Sequence, residues 1–300
     1  MAIQKELWIN QIQENLYKGL EAIKIAATDD SAYVNAKTVH IPTAGAATAI
    51  TKGNGTYPVS VVERTDQILD YNLTNYEFGP YRIGWADQLQ LSYDKTASLV
   101  NDLMGGLSER VARELMISWY HYTAGKYVLT TGSSYSDHAT GATGNSKGLT
   151  GKDLRRAAAI LDGQNIPMQD RYLLVDNTMF WQLMDDLEYN AERVGAIGNG
   201  LQTAPGTPYG FTVIAMPAVV YVTSAGVVRA YGNAGATTDQ AAALAVHKSA
   251  LSFALSGTWV SEKTDDPTYF GSILSGSIFG GGSYRRYDKL GVVPIIQDNA

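Results

Sequence analysis

The run DKTASLVNDLMGGLSERVARELMISWYHYTAG, Asp94 to Gly125, sets the frame for the rest of the chain. Leu99, Leu103, Leu107, Val111, Leu115 and Trp119 recur at steps of four, the spacing that lines up one face of an α-helix. Asp94 supplies an N-cap and Gly125 a stop. The pattern therefore predicts a helix from Asp94 to Ala124, on the order of 45 Å long at about 1.5 Å per residue. That exceeds the width of a small domain, so the helix should act as a strut. Gly105 and Gly106 stand in its middle, where each glycine costs about 1 kcal/mol relative to alanine, and they mark a place for a bend.

Upstream, Ile3, Leu7, Ile9, Ile12, Leu16, Leu20 and Ile23 recur at helical intervals and predict an amphipathic N-terminal helix. From Thr38 to Leu91 the texture changes to short β-type runs, Thr38 to Ile41 and Val59 to Val62, separated by Gly45, Gly53-Asn54-Gly55, Gly79-Pro80 and Gly84. This is extended hairpin structure with little core of its own. Tyr57, Tyr71, Tyr76, Phe78, Tyr81 and Trp85 fall in it. Such a stretch cannot bury all of these rings within itself, so they, with Trp8, are candidates for contact with another chain.

Downstream, Thr131 to Lys147 is a polar Gly/Ser/Thr/Asn loop and the clearest internal boundary. Thr150 with Asp153 approximates a capping box opening a helix through Leu154, Ala157, Ala158 and Leu161, closed by Gly163 and Pro167. Arg171 to Val175 reads as a buried strand, Thr178 to Leu187 as a helix and Tyr189 to Tyr209 as a Gly-rich loop. Strands are expected near Phe211 to Ala215, Ala218 to Val222 and Val227 to Tyr231. Ala241 to Leu255 is Ala-rich like a helix yet alternates like a strand, and its second half is read as strand. The last forty residues, with Ile273, Ile278, Tyr284, Tyr287 and Val292 to Ile296, read as strands returning to an earlier sheet. Without a strict βαβ alternation, the fold class is α+β.

Composition narrows the function. The 300 residues carry a formal net charge of −6, and neither half has a basic surplus: 12 basic against 15 acidic residues up to position 150, and 11 against 14 beyond it. A phosphate-gripping surface needs Lys and Arg in excess, which disfavours sequence-specific nucleic-acid binding. No cysteine is present, which excludes thiol catalysis, thiolate zinc sites and disulfides. Met1 to Asn10 lacks the charged start and apolar core of a signal peptide. The apolar stretch Phe211 to Val222 is broken by Pro217 and falls short of the roughly 18 residues of a membrane span.

Catalytic constellations are weak. Gly144-Asn145-Ser146-Lys147-Gly148 has the G-x-S-x-G form, but a nucleophile elbow needs a buried strand before the serine and a helix after it. Residues 136–143 are polar instead, so Ser146 reads as part of a loop. Gly148 to Asp153 fails the phosphate-loop pattern at both ends. His40, His121, His138 and His247 have no metal-ligand spacing, and Asp29-Asp30, Asp185-Asp186 and Asp265-Asp266 read as solvated turn carboxylates. No metal, cofactor or catalytic residue is expected.

The order of elements is similar to that of the HK97-fold major capsid proteins of tailed bacteriophages. Lys37 to Pro42 resembles the family's T-V-x-I-P segment at the start of the extended loop, and Ile83 to Gln88 resembles the run into the spine helix. Leu161 to Pro167 followed by Arg171 to Val175 resembles the family's helix, proline turn and buried strand; Tyr209-Gly210-Phe211 and Leu244 to Ala250 also resemble family segments. The resemblance spans nearly the whole chain. It implies an N-terminal arm (1–35), an extended E-loop region (36–91), a spine helix with the first part of a peripheral domain (92–148), an axial domain (149–241) and a second peripheral part (242–300).

The function so implied is structural: self-assembly through pentamers and hexamers into an icosahedral head enclosing double-stranded DNA, with no enzymatic activity. The implied partners are further copies of the chain, portal and head-completion proteins, and scaffolding, protease or decoration proteins as separate chains. No membrane is involved, and the place is the virion capsid, assembled in the bacterial host cytoplasm. Lys52 is the only lysine between Thr38 and Gln90, and no cross-linking residues carry over. An encapsulin-type shell enclosing cargo protein shares the fold, and a serine hydrolase using Ser146 stands as a reading from another class. A β-rich tail protein or adhesin is disfavoured by the long helix after Asp94.

Overall fold

The computed structural model describes residues 24–45, 52, 63–85, 95–186, 208–217 and 219–299. The expected N-terminal helix with Trp8, the strand at 59–62, Tyr57, the Asp94 cap and nearly all of the 189–209 loop lie outside the described residues.

In chain order the elements are β1 (Thr28–Asp29), β2 (Val34–Asn35), β3 (Thr38–Thr43), β4 (Gln67–Asn72), β5 (Thr74–Gly84), α1 (Lys95–Trp119), β6 (Val128–Leu129), β7 (Ser134–Ser136), β8 (Asn145–Lys147), α2 (Gly151–Gly163), β9 (Arg171–Asp176), α3 (Asn177–Asp185), β10 (Phe211–Met216), β11 (Val220–Val222), β12 (Gln240–His247), β13 (Leu251–Asp266), β14 (Gly271–Tyr284) and β15 (Val292–Ile296). One sheet has the order β1-β13-β14-β5 and is dominated by three long antiparallel strands. A second has the order β10-β9-β12-β15-β6, with β11 also on β12. The strands β2-β3-β4 form a small third sheet.

Strand β12 shows why the second sheet forms where it does. All eight of its residues are buried. Ala242, Leu244 and Val246 pack with Leu107, Val111, Leu115 and Trp119 of α1, while Ala241, Ala243 and Ala245 pack with Leu154, Leu161, Met179 and Leu183 of α2 and α3. A strand covered on both faces has no polar side to alternate with. That corrects the expectation for Ala241 to Leu255: its first half is strand as well, and the alanines fit because helices close over both faces.

Helix α1 keeps the predicted stripe, with Leu107, Val111, Leu115 and Trp119 all buried. It ends at Trp119, five residues before Ala124, and is about 37 Å long. Two anchors stop it. The Trp119 indole donates to Ser252 O at 2.9 Å, and the Tyr120 hydroxyl donates to Gly226 O at 2.9 Å. Gly125, at φ +75°, serves a turn beyond the helix instead of its cap. Opposite α1, Gly282 leaves room for this contact: a Cβ there would lie 2.7 Å from Leu115 and 2.9 Å from Ser252 O.

Where α1 meets the long sheet, Asp30 is buried. It accepts from Ser252 Oγ at 2.5 Å and from an Arg285 nitrogen at 3.1 Å. Tyr71 Oη lies 2.8 Å from the same Ser252 hydroxyl. One polar cluster thus joins the segment after β1 to β4, β13 and the end of β14.

Helix α2 opens as its capping box predicts. The Thr150 N–H and hydroxyl donate to Asp153 Oδ2 at 3.1 and 2.8 Å. Asp153 also accepts from the Thr131 N–H and hydroxyl at 3.1 and 2.8 Å, which fastens the chain after β6 to the helix. At its other end the fully buried Arg171 donates to Asp162, Pro167 O and Ile166 O, locking the turn into β9.

Two further expectations change. The polar stretch 131–147 is a small hairpin, β7 paired with β8, because its short polar side chains fold onto one another and onto residues 298 and 299. Val227 to Tyr231 is no strand beyond a bridge at Val228. Arg229 is turned away to Asp239, and Gly232 and Gly235 at positive φ lead the chain off the sheet.

Candidate assembly surface

At the far end of the long sheet, β13 and β14 are joined by a tight turn that Asp266 organises. Its carboxylate accepts from the Thr268 N–H at 2.8 Å and pairs with Lys263 Nζ at 2.5 Å. The Lys263 ammonium and then the Thr268 N–H hold the Asp266 carboxyl below the usual carboxylate range. The turn presents Tyr269 and Phe270, which are 54% and 64% exposed. Beside it, β5 ends with its Gly84 opposite Gly271. Trp85 then meets Phe270 edge to face at 5.9 Å, and its backbone N–H donates to Phe270 O at 3.3 Å. Tyr81, opposite Leu274, adds a fourth exposed ring at the same end. Further along β13, exposed Trp259 stands edge-on to Phe279 at 5.3 Å.

The rings singled out in the sequence therefore divide. Tyr81 and Trp85 lie at this exposed end. Tyr71 is buried in its own chain, where burial pushes its hydroxyl up to about 12. Tyr76 and Phe78 are half-buried against the main core. Trp8 and Tyr57 lie outside the described residues. Tyr269, Phe270 and Trp259 were missed, although Asp265-Asp266-Pro267-Thr268-Tyr269-Phe270-Gly271 carries the signal: two aromatics inside a Pro/Gly-bounded turn. Gly105 and Gly106 are exposed within the unbroken run of α1, and a Cβ on either would meet nothing within 4 Å.

Ser146 is not presented for attack. It is buried on β8 opposite Tyr135, with its hydroxyl committed to the Asp137 carboxylate. The neighbouring His138 pairs with Asp176 at 2.6 Å, and Asp176 caps α3 by accepting from the Met179 N–H at 2.7 Å. These are structural ties between hairpin and helix. Among the described residues no cluster of three or more acidic, His or Cys side chains could hold a metal ion, and no helix is long and apolar enough to cross a membrane.

The described chain thus carries a long sheet backed by a strut helix, a second sheet between helices, and aromatic rings displayed at one extremity. No curated protein matches the sequence. Among solved structures it is similar to the capsid of cyanophage P-SCSP1u, at 18% identity and TM-score 0.63 over 92% of this chain and 87% of that one. It is also similar to the head of Helicobacter pylori bacteriophage KHP40, at 12% identity and TM-score 0.65 over 92% and 88%. A virus-like particle from Pyrococcus furiosus matches at 10% identity and TM-score 0.53 over 95% and 96%. At these identities the likeness speaks for a shared capsid fold. The sequence profile of the phage capsid protein family matches residues 25–200, well over half of the chain, so the protein belongs to that family and is a structural protein of the phage head.

Proposed function

We propose that the chain assembles through rings of five and six copies into an icosahedral shell around double-stranded DNA, in the HK97 manner. Residues 1–35 act as an arm, 36–91 as the extended loop region, α1 as the spine, 149–241 as the axial part, and 92–148 with 242–300 as the peripheral part. Strands β6, β15 and most of β12 would then be the peripheral part's share of the axial sheet. The observation that carries this reading is the aromatic end of the long sheet. Ser252 to Asp266 spans fifteen residues of β13, on the order of 50 Å at about 3.3 Å per residue. A lone molecule gains nothing from holding Tyr81, Trp85, Tyr269 and Phe270 in water that far from its core, whereas a repeated contact between copies would bury them. The net charge of −6 suits a container that must not adhere to the phosphates inside it.

Portal and head-completion proteins, and scaffolding, protease or decoration proteins as separate chains, are the further partners of this reading. The chain has no catalytic role in it, and the assembly site is the host cytoplasm. Negative-stain electron microscopy with light scattering tests it, using the purified chain alone and co-expressed with neighbouring phage genes. Closed shells or capsomers of five and six subunits are expected; a monodisperse monomer under both conditions overturns it. DNA inside co-expressed shells, as opposed to a protein cargo, separates the phage head from an encapsulin-type compartment.

A further inference from the structure

A second feature lies away from the aromatic end, where α1, β11 and the 229–235 loop enclose a cavity of about 290 Å³. Its wall includes Arg113, Tyr221, Arg229, Tyr231, Asn233 and Asp239. The charges can be accounted for one by one. Arg229 is satisfied by the buried Asp239 through two bonds of 2.8 and 2.9 Å, and the Asp239 carboxylate also accepts from the Ala236 N–H at 2.8 Å. Arg110, one turn before Arg113, donates to Glu114 at 3.0 and 3.2 Å while its guanidinium lies 3.9 Å from the Tyr231 ring centre. Arg113 is left over. It is half-buried in the cavity wall, 5.3 Å from the Tyr231 ring, and no carboxylate among the described residues pairs with it.

We propose that this cavity is a carboxylate site in which Arg113 is the charge partner and the Tyr231 ring flanks its guanidinium. A planar guanidinium matches a carboxylate with two parallel bonds, and partial burial strengthens that match relative to open water. The Tyr231 ring, 5.3 Å from the Arg113 guanidinium, adds a cation–π attraction that favours its place in the wall. The volume is at the lower limit of small-molecule sites, which run from roughly 300 Å³ upward. It is sized for one acidic side chain or one small free acid. The carboxylate therefore comes from an acidic residue of a second copy or from a small free carboxylic acid. Only the first source rests on the shell reading.

The test uses the full-length chain before assembly, titrated with sodium succinate at constant ionic strength and followed by calorimetry and melting temperature. Saturable binding is expected, with matched sodium chloride giving none. Arg113→Gln should weaken it about tenfold or more, and Arg113→Lys, which keeps the charge but loses the fork, should weaken it less. Arg156→Gln, a substitution on the exposed face of α2, should leave it unchanged. No saturable binding by the wild type, or equal binding by Arg113→Gln, overturns the proposal. This arm reads the cavity even if shells never form, so its failure is distinct from failure of the assembly reading. In a second arm, succinate that slows wild-type assembly but not that of Arg113→Gln assigns the site to a neighbour's acidic side chain. Succinate that still binds finished shells, one per subunit, assigns it to a free acid.

Discussion

The indole nitrogen of Trp119 donates to the backbone carbonyl of Ser252 at 2.9 Å, across 133 positions of sequence. Helix α1 therefore ends on the first residues of β13, and the strut and the long sheet are registered to each other at one buried point. Ser252 is shared further, through its hydroxyl, with Asp30 and Tyr71.

Trp119→Phe should destabilise the unassembled chain by about 2–4 kcal/mol, because it leaves a void and strips a buried carbonyl of its donor. Gly282→Ala should cost about 1–3 kcal/mol by forcing a Cβ into the same contact. Urea unfolding of each variant reads both.

The Arg285 pair with Asp30 predicts a different signature. Arg285→Gln leaves the Asp30 carboxylate buried with the Ser252 hydroxyl and should cost about 2–4 kcal/mol. Thermal unfolding should show this loss shrinking when Asp30→Asn is added, since the uncompensated charge is then gone.

Two pH effects follow from opposite shifts. The Arg229 guanidinium, first by hydrogen bonding, holds the Asp239 carboxyl below its ordinary value. Its contribution is full above the unfolded pKa of about 3.9 and is lost as pH falls through the lower folded value. Arg229→Gln should therefore raise the acid-unfolding midpoint. Burial raises the Tyr71 hydroxyl to about 12, so the unfolded chain loses this proton first, from about pH 10. Stability should fall as pH rises from about 10 towards 12, and Tyr71→Phe should flatten that fall in an alkaline titration followed by circular dichroism.

For the exposed end of the sheet, Tyr269→Ser with Phe270→Ser should leave the unassembled chain's melting temperature nearly unchanged. It should raise the concentration needed for shell formation about tenfold for each 1.4 kcal/mol of lost contact energy. Light scattering against concentration measures it, and an unaltered threshold removes these rings from the interface.

Gly105→Ala with Gly106→Ala meets no neighbour and should stabilise α1 by about 1–2 kcal/mol. Shells should still assemble, and their expansion, followed by small-angle scattering, should slow. Unchanged expansion kinetics would show that the glycines do not serve as a hinge.

Local sequence was enough for much of the architecture. The steps of four from Leu107 to Trp119 fixed which face of α1 is buried, Thr150 and Asp153 fixed where α2 begins, and Arg171 to Val175 announced a buried strand. Each depends on neighbours within one or two turns, so periodicity and capping chemistry report them directly. What the sequence could not supply was the company each element keeps. β12 reads as half helix because its alanines are chosen by two helical layers closing on both its faces, and those layers come from positions 107–119 and 154–183. Tyr71 looked like a ring awaiting a partner chain until Ser252 and Asp30 came to it from far along the chain. Tyr269 and Phe270 became a surface only once β5 brought Trp85 beside them. The unmatched charge of Arg113 likewise emerged only after folding had paired Arg229 with Asp239 and Arg110 with Glu114. Periodicity is a local property of the chain, whereas burial and charge balance are set by residues that meet only in three dimensions.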